Sequence, residues 1–351
     1  MNFKKALFTL MHWEKWHYHV KYIPLYPVWL LYCVKARSAW FFTASNPSLT
    51  FGGFEGESKK EMYEQLPIAC YPKTIYISPS FSFAEVEKLF YENDFEYPVA
   101  VKPDVGMMGF MFRKIDDAAE LKRYHQKIQC DYLIQELIKY PIEVSVFYYR
   151  YPNAAKGNIT GFLRKEVPEV IGDGKNSLRK LIEGLALRPG FNVAEWKTKH
   201  HNRLNEIISE GDIYHLSFVA NLSRGGRLIS LADEKDDKLL KVFDDLSHYT
   251  RHFYYARYDV KCTSIEDLKN RNFSILEYNG SGAEPHHIYG AGNTLLQAYK
   301  IILHHWKVLY KISTYNHKQG IPYWKFLDGW KFLRSAKKHF KKLKKLDVEY
   351  A

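Results

Sequence analysis

Residues 97–115 constrain the fold most. Tyr97–Lys102 is an apolar run of strand length, Gly106–Gly109 supplies a turn, and Phe110–Ile115 predicts a returning strand. Further strands are predicted at Lys73–Ile77, Tyr132–Gln135, Ile142–Tyr149, Ile159–Lys165, Leu216–Asn221, Arg257–Lys261 and Phe273–Tyr278. Helices are predicted at Glu57–Leu66, Ser82–Asn93, Glu234–Tyr254, Thr294–Lys311 and Lys331–Leu346, with others starting near Asp116 and Ser177. Strands and helices mix without βαβ regularity, which predicts α+β rather than a doubly wound sheet. Asn46–Gly56 reads as a turn-rich linker, and Leu187–Asp212 as charged and irregular.

The chain has 351 residues and is 46% hydrophobic, enough for a real core in one or two domains. Its net charge of +12 is uneven. Residues 1–45 carry +5 and residues 331–351 carry +6, leaving +1 for the middle. That body is unlike a nucleic-acid channel, which needs cations along its groove, so no nucleic-acid partner is expected. Four scattered cysteines without a CxxC pair suggest neither a disulfide framework nor a zinc knuckle, and fit a reducing cytoplasm. No secretory signal is visible. The longest uncharged early stretch, Tyr22–Val34, has 13 residues and two prolines. A spanning helix needs about 20. Residues 1–45 also hold twelve aromatic residues among lysines and histidines. Two readings stand open: an anionic membrane surface met by both basic ends, or an aromatic segment packed on the body. The amphipathic helix at Lys331–Leu346, with Phe332, Ala336, Phe340 and Leu343 along one face and lysines elsewhere, reads as a membrane-surface helix, a binder of an acidic partner or a solvated tail.

Four constellations carry chemistry. Val99–Asp104 ends a strand on Lys102, and Gly106 and Gly109 follow. Glycines let backbone close over phosphates while a lysine supplies the point charge; the bland alternative is an ordinary hairpin. In Phe273–Asn279, a period of two puts Ile275, Glu277 and Asn279 on one face. With Asp259 on the preceding strand they offer hard oxygen ligands suited to magnesium, the alternative being surface carboxylates. Leu133–Ile138 and Glu143 could sandwich an adenine and accept from ribose, or simply end a buried strand. Asn221–Gly226 sets Arg224 beside two glycines, suited to an anionic intermediate or to a solvated turn. His200-His201 and His286-His287 lack a cysteine or spaced carboxylate and read as solvated or substrate-facing rather than metal-bound.

In this order the motifs resemble the ATP-grasp ligases over roughly residues 57–290. The pattern is closest to the ligase region of cyanophycin synthetases and more distant from D-alanine–D-alanine ligases. "AVKPDVGMMG" is similar to the family's lysine strand and glycine loop, "QELIKYPIE" to its hinge, and "RYDVK…ILEYNGSG" to its metal-binding end. "VPEVIGDGKNSLRKLI" and "NLSRGG" are similar to two cyanophycin-synthetase-type signatures, and "ESK" to the first ATP lysine.

The resemblance implies an ATP-grasp fold, with two α+β subdomains at 57–135 and 136–316 enclosing ATP. Residues 1–56 would be an atypically short aromatic and basic N-terminal segment, and 317–351 a basic tail. Lys59, Lys102 and Lys165 or Arg164 would contact phosphates, and Gly106 and Gly109 would form a lid. Glu136, Leu137 and Ile138 would face adenine and Glu143 ribose. Asp259, Glu277 and Asn279 would hold two Mg2+ ions, or Mn2+, while Arg224 and Arg257 would be catalytic. The implied activity is ATP-dependent joining of a small-molecule or peptide carboxylate to an amine through an acyl phosphate. The implied location is cytoplasmic, with docking on the inner membrane face left open. A non-catalytic nucleotide-binding scaffold and a phosphotransferase remain as alternatives.

Overall fold

A computed structural model describes residues 12–188, 191–217, 220, 225–250 and 252–350. In chain order its strands are β1 (Thr74–Ile77), β2 (Val99–Pro103), β3 (Arg113–Ile115), β4 (Tyr132–Glu136), β5 (Ile142–Tyr149), β6 (Asn158–Glu166), β7 (Glu169–Ile171), β8 (Ile213–His215), β9 (Arg227–Ser230), β10 (Tyr255–Cys262) and β11 (Phe273–Asn279). Helices and antiparallel sheets are interleaved, so the chain is α+β, as the pattern predicts. It falls into two compact units. The larger comprises Trp29–Phe162, Ala232–Pro285 and His304–Ala351, and the smaller Met1–Val28, Leu163–Leu231 and His286–Leu303.

The larger unit holds a four-stranded sheet of order β1-β4-β2-β3, antiparallel throughout. Alternation places Ile75, Ile77, Val99, Val101, Tyr132 and Ile134 in one buried cluster. Val86 and Phe90 of helix Phe83–Glu92 cover it, as do Leu121 and Tyr124 of helix Ala118–Lys127. The first of these helices starts with the expected capping box, Ser82 accepting from Glu85 N at 3.3 Å and Glu85 accepting from Ser82 N at 2.6 Å.

The C-terminal helix, Phe326–Tyr350, completes this core. Ala336, Phe340 and Leu343 lie buried in the same cluster. This corrects the reading of residues 317–351 as a tail whose apolar stripe could lie on a membrane. That stripe is core, and burying Phe340 and Leu343 stabilises the fold by roughly 2–3 kcal/mol each. The helix also braces the glycine loop. His339 Nε2 is 2.8 Å from Val105 O, and Asp347 Oδ1 accepts from Met111 N at 2.9 Å and Arg113 at 2.8 Å. Asp347 is buried, so Asp347→Ala should lower unfolding free energy by about 2–4 kcal/mol in urea titrations, whereas an exposed Lys341→Ala control should change it little.

The return strand is shorter than expected. Met108, Gly109 and Met111 all have positive φ (54°, 70° and 57°), so residues 107–111 form a turn and only Arg113–Ile115 pairs with β2. Asn46–Gly56 is not a linker. Phe51, Gly52 and Gly53 are buried, and Ser281 N and Gly282 N donate to Gly52 O and Gly53 O at 3.0 and 3.1 Å. A Cβ at Gly282 would sit 1.8 Å from Phe54 O, which is why glycine stands there.

The second sheet of the larger unit runs β11-β10-β5-β6. β6 continues into the smaller unit, where Leu163–Glu166 pairs with β9. The smaller unit has its own core, in which Val170, Leu178, Ile182, Phe191, Trp196, Leu204 and Leu216 are buried together. Here 187–212 is partly ordered, contrary to the irregular reading. Asn192 caps helix Val193–Lys199, which buries Trp196. Ile213–His215 is a strand, pairing with β7, while half of the strand expected at Leu216–Asn221 lies outside the described residues. The aromatic N-terminal residues pack inward in both units. Trp13 stacks on Tyr289 at 5.6 Å, and Trp29 packs on Phe41 and Trp306 at 4.9 and 5.1 Å. No helix among the described residues is long and apolar enough to cross a membrane.

Candidate nucleotide and metal site

β10 is the centre of the site. It pairs with β11 so that Arg257 stands opposite Asn279 and Asp259 opposite Glu277. It pairs with β5 so that Asp259 stands opposite Ser145 and Lys261 opposite Glu143. Residues directly opposite share a face, so Arg257, Asp259, Lys261, Glu277, Asn279, Ser145 and Glu143 are brought together on one side of the sheet. The other side is apolar, with Tyr258, Val260 and Tyr278 buried.

The strict period of two fails at one place. The register shifts between Asp259 and Val260, and Val260 pairs with Ile275. Leu276 is therefore a β-bulge, and Ile275 lies on the apolar side rather than beside Glu277. The bulge has a consequence for chemistry. Leu276 O, without a place in the ladder, accepts from Lys102 Nζ at 3.1 Å and from the Tyr63 hydroxyl. Lys102 Nζ also donates to Tyr63 Oη at 3.0 Å. A lysine from the first sheet is thus tied to the metal strand of the second. Burial pushes its ammonium down to about 8, with Glu277 pulling the other way.

Lys59 arrives by a separate route. Ser58 caps helix Lys59–Tyr63, and Asp104, just past β2, accepts from Ser58 Oγ at 3.0 Å and Lys60 N at 2.9 Å. Lys59 N donates to Asp104 O at 3.1 Å. The buried Lys59 ammonium reaches Gly106 O at 3.5 Å, and a Cβ at Gly106 would come within 3.8 Å of it. Lys59, Lys102 and Gly106 therefore converge, as the resemblance expects. Met62 and Tyr63 of the same short helix cover the free edge of β11, Tyr278 N lying 3.0 Å from Met62 Sδ.

Sequence reasoning missed three parts of this cluster: Tyr63, the Leu276 bulge and Glu57. Burial pushes the Glu57 carboxyl up; Lys59 opposes this, and Glu277 and Glu61 add to it. The Ser58…Glu61 spacing was a readable signal for the helix that carries Tyr63. In the structure Glu61 bonds Thr50 instead, at 2.8 and 2.9 Å.

The remaining candidates are distributed as follows. Glu136 closes β4, exposed, while Leu137 and Ile138 are half-buried in the irregular stretch joining β4 to β5. Gly109 lies in the turn after Gly106. Arg257 Nη1 donates to Glu284 O at 3.0 Å, with Nε 3.9 Å from Asp259 Oδ1. Lys165 and Arg164 lie on β6 in the smaller unit, opposite Leu228 and Ile229; Arg164 pairs with Glu166 at 3.7 Å. Arg224 lies outside the described residues.

The donor set suits a hard divalent ion. Two carboxylates stand directly opposite each other, Asp259 buried, and a like-charged pair in that position is destabilising without a cation. The neighbouring Asn279 offers an amide oxygen, and its Nδ2 is buried with no hydrogen-bond partner among the described residues. Among the described residues no group of three or more His, Cys, Asp and Glu could hold a metal, so the amide is needed to complete the set. His200 is not solvated: Nδ1 meets Tyr214 Oη at 3.0 Å and Nε2 meets Leu216 O at 3.1 Å, and burial lowers its pKa.

No protein-family model matches the chain, and no curated protein sequence matches it. Among solved structures it is similar to a bifunctional glutathione synthetase from Pasteurella multocida. The identity is 14% and the TM-score 0.41, over 74% of this chain and 38% of that one. It is also similar to the VanG D-Ala:D-Ser ligase from Enterococcus faecalis, at 12% identity and TM-score 0.42, over 74% of this chain and 62% of that one. A D-alanine–D-alanine ligase from Bacillus anthracis gives 15% and 0.39, over 74% and 67%. The chain thus spans less than two thirds of the first two. At these scores the likeness carries no weight by itself, and the chemistry rests on the residues above.

Proposed function

We propose that the protein is an ATP-dependent carboxylate–amine ligase of the ATP-grasp type, with the nucleotide carried by residues of 57–135 and 136–316. One observation supports this most: the glycine loop, Lys59 and Lys102 converge on the strand that bears Glu277, opposite Asp259. That is an anion cradle beside a cation cradle, which is the requirement for holding a nucleoside triphosphate with its metal.

In this reading a substrate carboxylate oxygen attacks the γ-phosphorus of ATP, the bond to the β,γ-bridging oxygen breaks, and ADP leaves. The acyl phosphate then takes an amine at its carbonyl carbon, losing phosphate and a proton to give an amide. Lys59 and Lys102 hold phosphate oxygens as point charges, and the loop at Gly106 lets backbone approach them. Arg257, fixed by Glu284 O, stands ready to stabilise the developing negative charge. Leu137 and Ile138 sandwich the adenine, and Glu143 accepts from ribose. Asp259, Glu277 and Asn279 hold Mg2+, which when bound neutralises phosphate charge and aligns the transferring group.

The test is ADP release by the purified chain with ATP, Mg2+, hydroxylamine and a panel of carboxylates. A hydroxamate formed with one acid is the expected result and names half of the substrate pair. A stable phosphorylated product without hydroxamate would assign a phosphotransferase instead. ATP binding without ADP release on any acid would favour a nucleotide-binding scaffold.

A further inference from the structure

Helix Tyr26–Ala36 is apolar on every side, with Lys35 as its one charge. Such helices belong in a core or at a membrane. Among the described residues, one side of this one is packed on protein. Trp29, Tyr32, Cys33 and Ala36 pack against Phe41, Phe42 and Ile312 in the larger unit. On the other side Leu30, Leu31 and Val34 are between 48% and 74% exposed. A second exposed set begins the C-terminal helix, where Phe326, Leu327 and Trp330 are between 52% and 66% exposed. Trp40 joins the two places: its indole donates to Phe326 O at 3.0 Å and stacks on the Phe326 ring at 5.9 Å. Exposed apolar residues in groups, unlike scattered ones, mark a surface that meets something.

The charges around them are mostly positive, the exposed Asp328 between Leu327 and Trp330 being the exception. No Asp or Glu occurs between Lys15 and Phe54, while Lys35 and Arg37 end the first helix. Beyond Trp330 the C-terminal helix carries Lys331, Arg334, Lys337, Lys338, Lys341 and Lys342, with Asp347 turned inward to Arg113. A shallow recess of about 440 Å3 lies among Lys338, His339, Lys342 and Lys345.

We propose that these two helix faces dock the larger unit on the surface of a bilayer rich in anionic lipids. Leu30, Leu31, Val34, Phe326, Leu327 and Trp330 enter the interface, and the C-terminal lysines meet the headgroups. Apolar residues beside eight cations from Lys331 to Lys345, against the single exposed acid Asp328 among them, favour an anionic lipid surface over a second copy of this chain, whose matching face would repel. The surface differs from the buried stripe of Ala336, Phe340 and Leu343, and it does not depend on the ligase chemistry.

The test is cosedimentation of the full chain with phosphatidylcholine vesicles, with and without phosphatidylserine, at low salt. Binding is expected only when phosphatidylserine is present. Lys338→Glu with Lys342→Glu should weaken it by at least about thirtyfold, at roughly 1 kcal/mol per charge removed. Leu30→Glu with Val34→Glu should abolish it while circular dichroism and the thermal midpoint stay near wild type. No sedimentation of wild type with phosphatidylserine vesicles overturns the proposal. So does concentration-dependent self-association without lipid that the Leu30→Glu, Val34→Glu chain loses, because the face then meets another copy.

Discussion

Glu277→Gln should cut ATP-dependent turnover about a thousandfold while leaving the metal-free protein as stable as wild type, or more so. The first half follows from position. Glu277 stands directly across from Asp259, beside Asn279 and close enough to Lys102 to raise its pKa. A metal that polarises phosphate is worth several kcal/mol in the transition state, and each 1.36 kcal/mol is about tenfold in rate. The second half follows from electrostatics, since opposed like charges destabilise a strand pair and removing one relieves it. Thermal shift separates the two effects. Wild type at ~100 times the Kd for ATP with Mg2+ gains about 2.7 kcal/mol, and the variant should gain none. Asp259→Asn should lose turnover equally but be less stable, because the largely covered Arg257 side chain then lacks the nearby carboxylate. Full turnover in Glu277→Gln would end the metal assignment.

Nucleotide affinity should fall about tenfold per pH unit above pH ~8, and the fall should vanish in Lys102→Met. Burial holds Lys102 near that value, so the folded chain loses its proton more than two units below a free lysine. A neutral amine cannot pair with phosphate, so binding above pH 8 must first take up a proton. Calorimetry in buffers of different ionisation enthalpy should record uptake of up to one proton per nucleotide at pH 9. Stability moves the opposite way. Between pH ~8 and ~10.5 the unfolded chain binds the proton that the folded chain has released. Unfolding free energy therefore rises with pH across that window, by up to ~1.4 kcal/mol per unit relative to Lys102→Met. Flat affinity from pH 7 to 9.5 would show that Lys102 does not touch the nucleotide.

The legible parts of this protein were those where local chemistry decides. The Ser82–Glu85 capping box, the strands at 99–103 and 142–149 and the alternation in β10 follow from propensity and pattern alone. Asp259 and Glu277 could be paired because two neighbouring strands carried them. The bulge at Leu276 could not be read, because a bulge is decided by what approaches the strand from elsewhere, here Tyr63 and Lys102. The same holds for the C-terminal helix. Its amphipathic pattern was plain, but a pattern states only that one face is covered. Whether sheet or lipid covers it is settled by contacts such as Asp347 to Met111, 236 residues apart in sequence. Glu57 was quoted only as the neighbour of a lysine, since nothing local distinguishes a carboxyl that burial raises from a solvated one.

The brace between the glycine loop and the C-terminal helix also sets an order of events during synthesis. Val105 waits for His339 and Met111 for Asp347, separations of 234 and 236 residues. At about 5–20 residues per second, a ribosome leaves the loop without either contact for roughly 10–50 s after it is made. The lysine strand, its hairpin and the first two covering helices can form in that interval. The cluster they share stays open on the side that Ala336, Phe340 and Leu343 will fill. Throughout that interval, then, the nascent chain presents an apolar sheet face of the kind that chaperones bind, and it is released from that exposure by helix Phe326–Tyr350.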